Sequence, residues 1–155
     1  MALTFAAATF DDYDMHRIMQ VNNRAMEELF YDPKGARVLF ESLDDVREFL
    51  TNSISVIVEF DETPIGYFRY YFTETNTMRL CHLGPLAIVP EYNTEDVNKI
   101  ISLFLTHIAK NTKCRYILVE AMESTVSSFV KDGYVEYAKH ISGSLPIVRL
   151  KKLIL

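Results

Sequence analysis

The sequence predicts an α/β protein with a mixed, mostly antiparallel central sheet flanked by helices. Three observations support this fold class. Strand-like apolar runs alternate with segments in which apolar residues recur at helical spacing. Clusters of proline, glycine, asparagine and aspartate separate these segments. The resulting order is β-α-α-β-β-β-α-β-α-β-β, and no repeat, low-complexity tract or linker interrupts it. We therefore expect a single domain over residues 1–155.

The first half of the chain predicts four strands and two helices. The first helix begins at Asp11 or Asp12, either of which can cap it, and ends where Pro33 and Gly35 interrupt the pattern. Asp61–Pro64 predicts the turn of a hairpin whose second strand is apolar and aromatic on both faces. The predicted strands cover residues 3–9, 55–60, 65–72 and 78–89, and the second helix covers 44–51.

The second half predicts two helices and three further strands. Apolar residues at helical spacing predict one helix over 97–108. Asp132-Gly133 closes a shorter helix, with glycine in its usual place after a helix end. The predicted strands cover residues 116–119, 134–138 and 146–155, and the shorter helix covers 124–131.

The segment Ile147–Leu155 ends the sequence in apolar residues. In a strand, Leu153 and Leu155 point to one face and Ile154 to the other, so one domain core does not easily cover all three. One interpretation is that this strand and its neighbour from Tyr134 form a docking edge for another copy or for a different protein. The alternative is that the segment completes the domain's own sheet.

The composition argues against several classes of function. The net charge of −5 and the pI near 5.4 do not suit a surface for nucleic acid or anionic membranes, which requires basic patches. No stretch approaches the roughly 18 apolar residues of a transmembrane helix, and the N-terminal residues lack the pattern of a signal peptide. Cys81 and Cys114 have no metal-binding spacing. We therefore expect a soluble, cytoplasmic protein without a metal site.

The stretch Leu83–Phe104 carries the most specific pattern. A buried-looking strand runs into Pro90-Glu91-Tyr92, a short polar loop and the start of the second-half helix. This arrangement resembles the cofactor motif of the GCN5-related N-acetyltransferase (GNAT) superfamily, closely so through Tyr92. The predicted order of elements also matches the GNAT topology. The resemblance implies an acetyl-coenzyme A site in which the backbone of three residues, Leu86, Ala87 and Ile88, pairs with the pantetheine arm.

The loop after this strand departs from the GNAT motif. A pyrophosphate needs several backbone N–H groups at the positive end of a helix dipole, and the glycines of the family give it clearance. Here the glycine positions hold Thr94, Asp96 and Asn98, and the basic or amide position holds Asn93. Glu95 adds a second carboxylate. A carboxylate and a phosphate about 4–5 Å apart repel by roughly 1 kcal/mol in water, and by several at an effective dielectric near 20. The sequence therefore predicts a degenerate phosphate site.

The same loop residues also suit an ordinary helix start. Asn93 or Thr94 can serve as the N-cap, and the two acidic residues then complement the helix dipole in the first turn. In this alternative the helix end is satisfied by its own side chains.

The catalytic positions implied by the resemblance are altered as well. Aligning the family's glycine on Gly133 places Phe129 where many GNAT enzymes carry a tyrosine that protonates the departing thiolate. Phenylalanine has no proton to give, and we expect Phe129 to be a core residue of a short amphipathic helix. The strand that holds the usual catalytic glutamate has no acidic residue between Met78 and Leu86.

His82 and Glu59 remain as candidate bases, because an acceptor amine must lose a proton before it attacks a thioester. An imidazole has a suitable unperturbed pKa near 6.5, but His82 can also be a half-buried histidine hydrogen-bonded to a neighbour. For Glu59 the favoured interpretation is an edge or solvent-facing residue. Arg69 interrupts an aromatic run, so it is either a ligand clamp or an arginine that reaches solvent or a carboxylate.

These departures favour a GNAT-fold protein that has lost acetyl transfer, binds no cofactor and acts through protein contacts as a structural, adaptor or inhibitor module. The alternative is an active acetyl-coenzyme A-dependent N-acetyltransferase with a divergent loop, in which His82 is the base. A third hypothesis is a small-molecule or acyl-thioester binding protein that keeps the cleft without the chemistry.

Overall fold

The computed structural model describes residues 3–26, 39–142 and 145–154. Over these residues the elements follow the predicted order. The strands are β1 Leu3–Ala7, β2 Ile54–Phe60, β3 Thr63–Glu74, β4 Arg79–Ile88, β5 Tyr116–Met122, β6 Val135–Ser142 and β7 Leu145–Leu153. The helices are α1 Asp12–Met26, α2 Leu43–Leu50, α3 Glu95–Asn111 and α4 Glu123–Lys131, with a 3-10 turn at Pro90–Tyr92.

The described strands are hydrogen-bonded in the order β1-β2-β3-β4-β5-β7-β6. β4 and β5 run parallel, whereas β1 with β2, β5 with β7 and β6 with β7 run antiparallel. The predicted fold class, a mixed and mostly antiparallel sheet flanked by helices, is confirmed. Within the described part of the chain, no helix is long and apolar enough to cross a membrane. The same part contains no cluster of histidine, cysteine or acidic side chains that could hold a metal ion.

Several element boundaries differ from the predicted ones. α3 starts at Glu95 because Thr94 caps it, and acidic residues are favourable in a first turn. β5 continues to Met122 because it stays paired with β7 as far as Met122 and Ile147. The predicted end of the first helix, near Pro33 and Gly35, lies outside the described residues.

The chain forms two compact units, of which the first comprises the described parts of Met1–Arg69 together with Pro85–Tyr92. Asp11 starts α1, because its side chain accepts a hydrogen bond from the backbone N–H of Asp14 at 2.8 Å. The β2–β3 turn places Asp61 and Glu62 at positive φ, as the two central residues of a tight hairpin turn require. The core of this unit includes Met15, Ile18, Val46, Leu50, Ile57, Ile65, Tyr67 and Phe68.

The second unit comprises Tyr70–Gly84 and the described parts of Asn93–Leu155. In this unit α3 contacts β5, and α4 contacts both β5 and β7. The side chains that face these helices alternate with exposed ones along the strands, as expected for a sheet covered on one face. The buried set includes Cys81, Leu83, Ile101, Leu105, Ile117, Val119, Val148 and Leu150.

The C-terminal strand lies inside the sheet of the second unit. β7 pairs with β5 from Tyr116↔Leu153 to Met122↔Ile147 and with β6 on its other side. Both hydrogen-bonding edges of β7 are therefore occupied, so the prediction of strand addition at β7 is wrong, and docking through its neighbour from Tyr134 stays a prediction. The segment completes the protein's own sheet. The terminal strand of the described sheet is β6, the neighbour of β7. The side chain of Leu153 on β7 is exposed.

Candidate functional site

In the first unit, the end of β4 lies directly against β3. The backbone N–H of Val89 donates to the carbonyl of Ile65 at 2.8 Å and so points towards β3, whereas the carbonyl of Val89 accepts from the N–H of Tyr92 at 2.9 Å. Because the direction of N–H and C=O groups alternates along a strand, those of Ala87 also point to β3, and those of Leu86 and Ile88 point away from it. Of the three residues assigned to the pantetheine arm, Leu86 and Ile88 therefore present their backbone groups on the opposite side from β3.

The turn Pro90–Tyr92 after β4 is held by contacts within the same unit. The ring of Tyr92 packs on Phe60, with ring centroids 5.3 Å apart. Glu91 forms an ion pair with Arg24 of α1. The part of the sequence that resembles the GNAT motif most closely thus has a structural role.

His82 lies on β4 in the second unit, opposite Leu118 of β5. Its ring stacks on Tyr71, with parallel planes and centroids 4.7 Å apart, and its Nε2 lies 2.7 Å from the hydroxyl of Thr73. Burial lowers the pKa of His82, and the opposing effect of Glu120 is smaller. The imidazole is therefore mainly neutral at pH 7. When Nε2 carries the hydrogen and donates to Thr73, the lone pair of Nδ1 can accept a proton.

We expect the His82 ring to titrate below its ordinary pKa of about 6.5. The unfolded chain then binds this proton more tightly than the folded protein. The contribution of the neutral ring to stability is complete above about pH 6.5 and is lost as the pH falls through the lowered folded pKa. An NMR titration of the ring resonances, assigned by their disappearance in His82→Gln, measures the midpoint. A midpoint at or above 6.5 contradicts this expectation.

Glu59, the other candidate base, is engaged in an ion pair. Its Oε1 lies 2.8 Å from Nη2 of Arg17, whose Nη1 also contacts Asp14 at 3.3 Å. The side chains of this cluster are mostly buried. The expectation of an edge or solvent-facing glutamate is wrong, because β2 lies between β1 and β3 and α1 supplies a partner. Arg69 likewise has a structural role, since it stacks on the ring of Phe49 and donates to the carbonyl of Phe49 at 2.6 Å.

The start of α3 is capped by the chain itself. The hydroxyl of Thr94 accepts a hydrogen bond from the backbone N–H of Val97 at 3.3 Å. The N–H of Asn98 donates to the carbonyl of Thr94 at 3.0 Å. Asn98 is only 4% exposed, and its side-chain amide donates to Oδ1 of Asn93 at 3.1 Å. The alternative in which side chains satisfy this helix end is confirmed, with Thr94 as the N-cap.

We expect Thr94→Ala to lower the free energy of unfolding by about 0.5–2 kcal/mol, because it removes the acceptor for the Val97 N–H. Urea denaturation followed by circular dichroism measures the change. Thr94→Ser is the matched control, since it keeps the hydroxyl and is expected to change stability far less. Equal losses in the two variants would show that the cap is not the cause.

The acidic residues of the same turn differ in their surroundings. The carboxylate of Glu95 lies 2.5 Å from Nζ of Lys131 at the end of α4, and both side chains are more than half exposed. This pair partly neutralises Glu95 and places a cation near the start of α3. Asp96 is exposed in the first turn.

Phe129, at the position of the thiolate acid, belongs to the core. Its side chain is 1% exposed, and its ring packs edge-to-face on Tyr134 with centroids 5.1 Å apart. Burial raises the pKa of the Tyr134 hydroxyl, so this phenol keeps its proton. The prediction that Phe129 is a core residue is confirmed.

A partly buried polar cluster lies beside Tyr134. The hydroxyl of Ser102 on α3 hydrogen-bonds to Oδ2 of Asp132, and Nζ of Lys152 on β7 lies 3.2 Å from the same oxygen. The Lys152 ammonium also lies 5.5 Å from the centre of the Tyr134 ring. The cluster joins α3, the end of α4 and β7 at one point.

Sequence reasoning missed the partners that surround the candidate residues. Tyr71 and Thr73 hold His82, and Lys131 reaches Glu95. The contacts of Tyr71 and Thr73 with His82 could have been predicted from the sequence. Residues two apart on a strand share a face, and a short connection joins β3 to β4. The Lys131 contact has no comparable local signal.

No protein-family model and no curated protein sequence matches this chain. Solved structures do match it over almost its whole length. An acetyltransferase of the GNAT family from Streptococcus pneumoniae has a TM-score of 0.73 and 14% identity, covering 99% of this chain and 100% of that one. An N-acetyltransferase from Staphylococcus aureus Mu50 has a TM-score of 0.74 and 11% identity, with 99% of each chain covered.

A chain from the NatC complex bound to Gag peptide and CoA is similar to the same degree. Its TM-score is 0.73 and its identity 13%, and the match covers 100% of both chains. At these low sequence identities the similarity is one of backbone fold. It agrees with the order of the elements and with the strand order of the sheet. The chain therefore has the fold of the GCN5-related N-acetyltransferase superfamily.

Proposed function

We propose that this chain is a GNAT-fold protein that does not transfer acetyl groups from acetyl-coenzyme A and that acts through contacts with other proteins. The start of α3 carries this proposal. A pyrophosphate at this helix end would need the backbone N–H groups of the first turn. The N–H of Val97 already bonds to the Thr94 hydroxyl, so a phosphate oxygen would have to displace the cap.

The other loop residues oppose the same ligand. Asn98, at a glycine position of the motif, is buried and bonded to Asn93, which leaves no clearance of the kind that glycine gives. Asp96 places a carboxylate in the first turn, where it repels a phosphate. The residues present therefore do not fit a pyrophosphate.

The residues for proton transfer are also unsuited to the reaction. Phe129 has no proton to donate, and its position in the core leaves no room for a reacting group. Glu59 is held in an ion pair with Arg17, so its carboxylate is already engaged within the fold. Only His82 keeps a suitable group among the candidates named from the sequence.

A role in protein contacts is supported by the surface of the second unit. Val135, Tyr137 and Leu153 are exposed apolar residues on neighbouring strands. The fold itself occurs in multi-protein assemblies, as the NatC complex illustrates. Exposed apolar side chains that cluster on strands are typical of interaction sites.

The alternative function is acetyl-coenzyme A-dependent N-acetyl transfer. Two observations favour it: the neutral imidazole of His82 can accept a proton from an amine, and the backbone of Leu86 and Ile88 points away from β3. Pairing with a pantetheine arm uses main-chain groups, so it can survive the loss of the phosphate site. Retention of this pairing without catalysis would give the third function, acyl-thioester binding.

Calorimetric titration with coenzyme A and acetyl-coenzyme A tests the proposal. We expect a dissociation constant weaker than about 1 mM, or no binding. A low-micromolar value would overturn the loss of the cofactor. In that case, thiol release from acetyl-coenzyme A is measured in the presence of peptide amines for the wild type and for His82→Gln. Release that is lost in His82→Gln indicates transfer, and no release in the wild type indicates binding alone.

Two variants identify which feature of the loop excludes the ligand. The combined change Thr94→Gly, Glu95→Lys, Asp96→Gly and Asn98→Gly restores the motif and is expected to improve binding, at roughly 1 kcal/mol of stability for each glycine inside the helix. Glu95→Gln with Asp96→Asn removes the charges and keeps the cap. If the second variant improves coenzyme A binding as much as the combined change does, the charges of Glu95 and Asp96 are what excludes the ligand.

A further inference from the structure

β6 is the terminal strand of the described sheet, and β7 is its neighbour. Three of its apolar side chains are prominent at the surface: Val135, Tyr137 and Ile141 are 60%, 46% and 72% exposed. An edge strand with exposed apolar side chains is a template for pairing with another strand. The strand that can pair with this edge depends on which backbone groups and side chains of β6 face outward.

Pro146 determines which backbone groups of β6 face the free edge. Pro146 lies opposite Ile141 and has no N–H, so this pair takes the position that exchanges no hydrogen bonds. Pairs with and without hydrogen bonds alternate along the ladder. Two further pairs therefore exchange no hydrogen bonds, Lys139 with Val148 and Glu136 with Leu150. The N–H and C=O groups of Glu136, Lys139 and Ile141 therefore point away from β7.

The register also fixes the faces of the side chains. Directly opposed residues share a face, so Glu136 and Lys139 lie on the face where Leu150 and Val148 are buried. Tyr137 lies at the irregularity between Glu136 and Ala138. Its ring is 5.6 Å from the Lys151 ammonium, which places it on the opposite face.

A second copy can pair with this edge antiparallel about a two-fold axis. A shift of one residue in the pairing would exchange the buried and exposed faces of one copy. The faces of the two copies are therefore continuous only in every second register. In one of these registers Glu136 lies opposite Lys139 of the second copy, and symmetry repeats the pair. The axis then lies between Tyr137 and Ala138, so Tyr137 of one copy lies opposite Ala138 of the other. The next register places Lys139 opposite Lys139, which is unfavourable because like charges oppose each other directly.

We propose that β6 pairs with β6 of a second copy in the register that opposes Glu136 and Lys139. Within one chain these two residues already lie 3.5 Å apart, so the dimer forms a network of four alternating charges. The outward backbone groups of Glu136 and Lys139 form the hydrogen bonds, and Tyr137 packs against Ala138 of the second copy. This inference rests on the proposed role in protein contacts and names the surface and the partner.

Sedimentation of the full chain at increasing concentration tests this proposal. We expect the wild type to dimerise, and Glu136→Lys or Lys139→Glu to raise the dissociation constant by at least about tenfold. An equimolar mixture of the two variants is expected to recover the dimer, because each acidic pair of one chain then faces the basic pair of the other. The double exchange Glu136→Lys with Lys139→Glu is expected to recover it as well.

Controls separate this effect from folding and from net charge. Thermal unfolding checks that each variant folds, and Glu123→Lys makes the same change of charge on α4, away from the edge. A monomeric wild type, single variants that dimerise normally, or a mixture that stays monomeric would each overturn the proposal. Micromolar coenzyme A binding would overturn the proposed function without affecting this result, so the two failures are distinguishable.

Discussion

Replacing Gly66 with alanine is expected to destabilise the protein by about 3 kcal/mol, at the upper end for overpacking. Gly66 is buried in β3, opposite the end of β4. A Cβ at this position would lie 2.6 Å from the carbonyl oxygen of Ala87 and would also clash with Cδ1 of Ile88. The carbonyl is backbone and cannot move aside as a side chain does, so the segment Leu86–Ile88 has to shift.

Urea denaturation of Gly66→Ala measures this loss, and Gly133→Ala is the comparison. Gly133 has φ 94°, but a Cβ there meets only the far end of Lys152 at 3.7 Å. We expect Gly133→Ala to lose about 1–2 kcal/mol through backbone strain alone. A loss below about 1 kcal/mol in Gly66→Ala would show that β3 and β4 separate easily, in contrast to the close approach described here.

Asp132→Ala is expected to cost about 3 kcal/mol, because it removes the shared partner of a partly buried ammonium and a buried hydroxyl. The side chains of Asp132 and Lys152 are 17% and 20% exposed, and Ser102 is almost completely buried. Without the carboxylate, the Lys152 ammonium is left in a poorly hydrated position and the Ser102 hydroxyl loses its acceptor. The loss therefore reflects the isolated cation more than the contact itself.

A double variant separates these contributions. Asp132→Ala combined with Lys152→Met removes the ammonium and keeps an apolar chain of similar length, so we expect it to be more stable than Asp132→Ala alone. Asp132→Asn keeps an acceptor for Ser102 and should fall between the wild type and Asp132→Ala. A double variant less stable than Asp132→Ala would contradict the role of the unpaired cation.

The sequence predicts features that depend on local chemistry. The cap at Thr94 follows from neighbouring residues, because a hydroxyl reaches an N–H three residues further along the same turn. The turn after β2 and the core position of Phe129 follow from patterns of the same short range. The fold class follows from these patterns taken together.

Features that depend on packing between distant elements were not predicted. Glu59 meets Arg17 only because the fold brings α1 and β2 together at this ion pair, and Lys131 meets Glu95 across 36 residues of sequence. The position of β7 inside the sheet is of the same kind, since an apolar terminal segment suits an edge and an interior strand equally well. Long-range pairings of this type leave no periodic trace in the sequence.

The place of β7 in the sheet has a consequence for synthesis on the ribosome. β6 leaves the ribosome before β7, yet the strand it pairs with is β7. The nascent chain therefore carries β6 without its neighbour until the later strand emerges and inserts beside β5, in contacts as distant as Tyr116 with Leu153. Until β7 pairs with it, this edge of β5 is open to other strands, which is the condition in which folding intermediates aggregate.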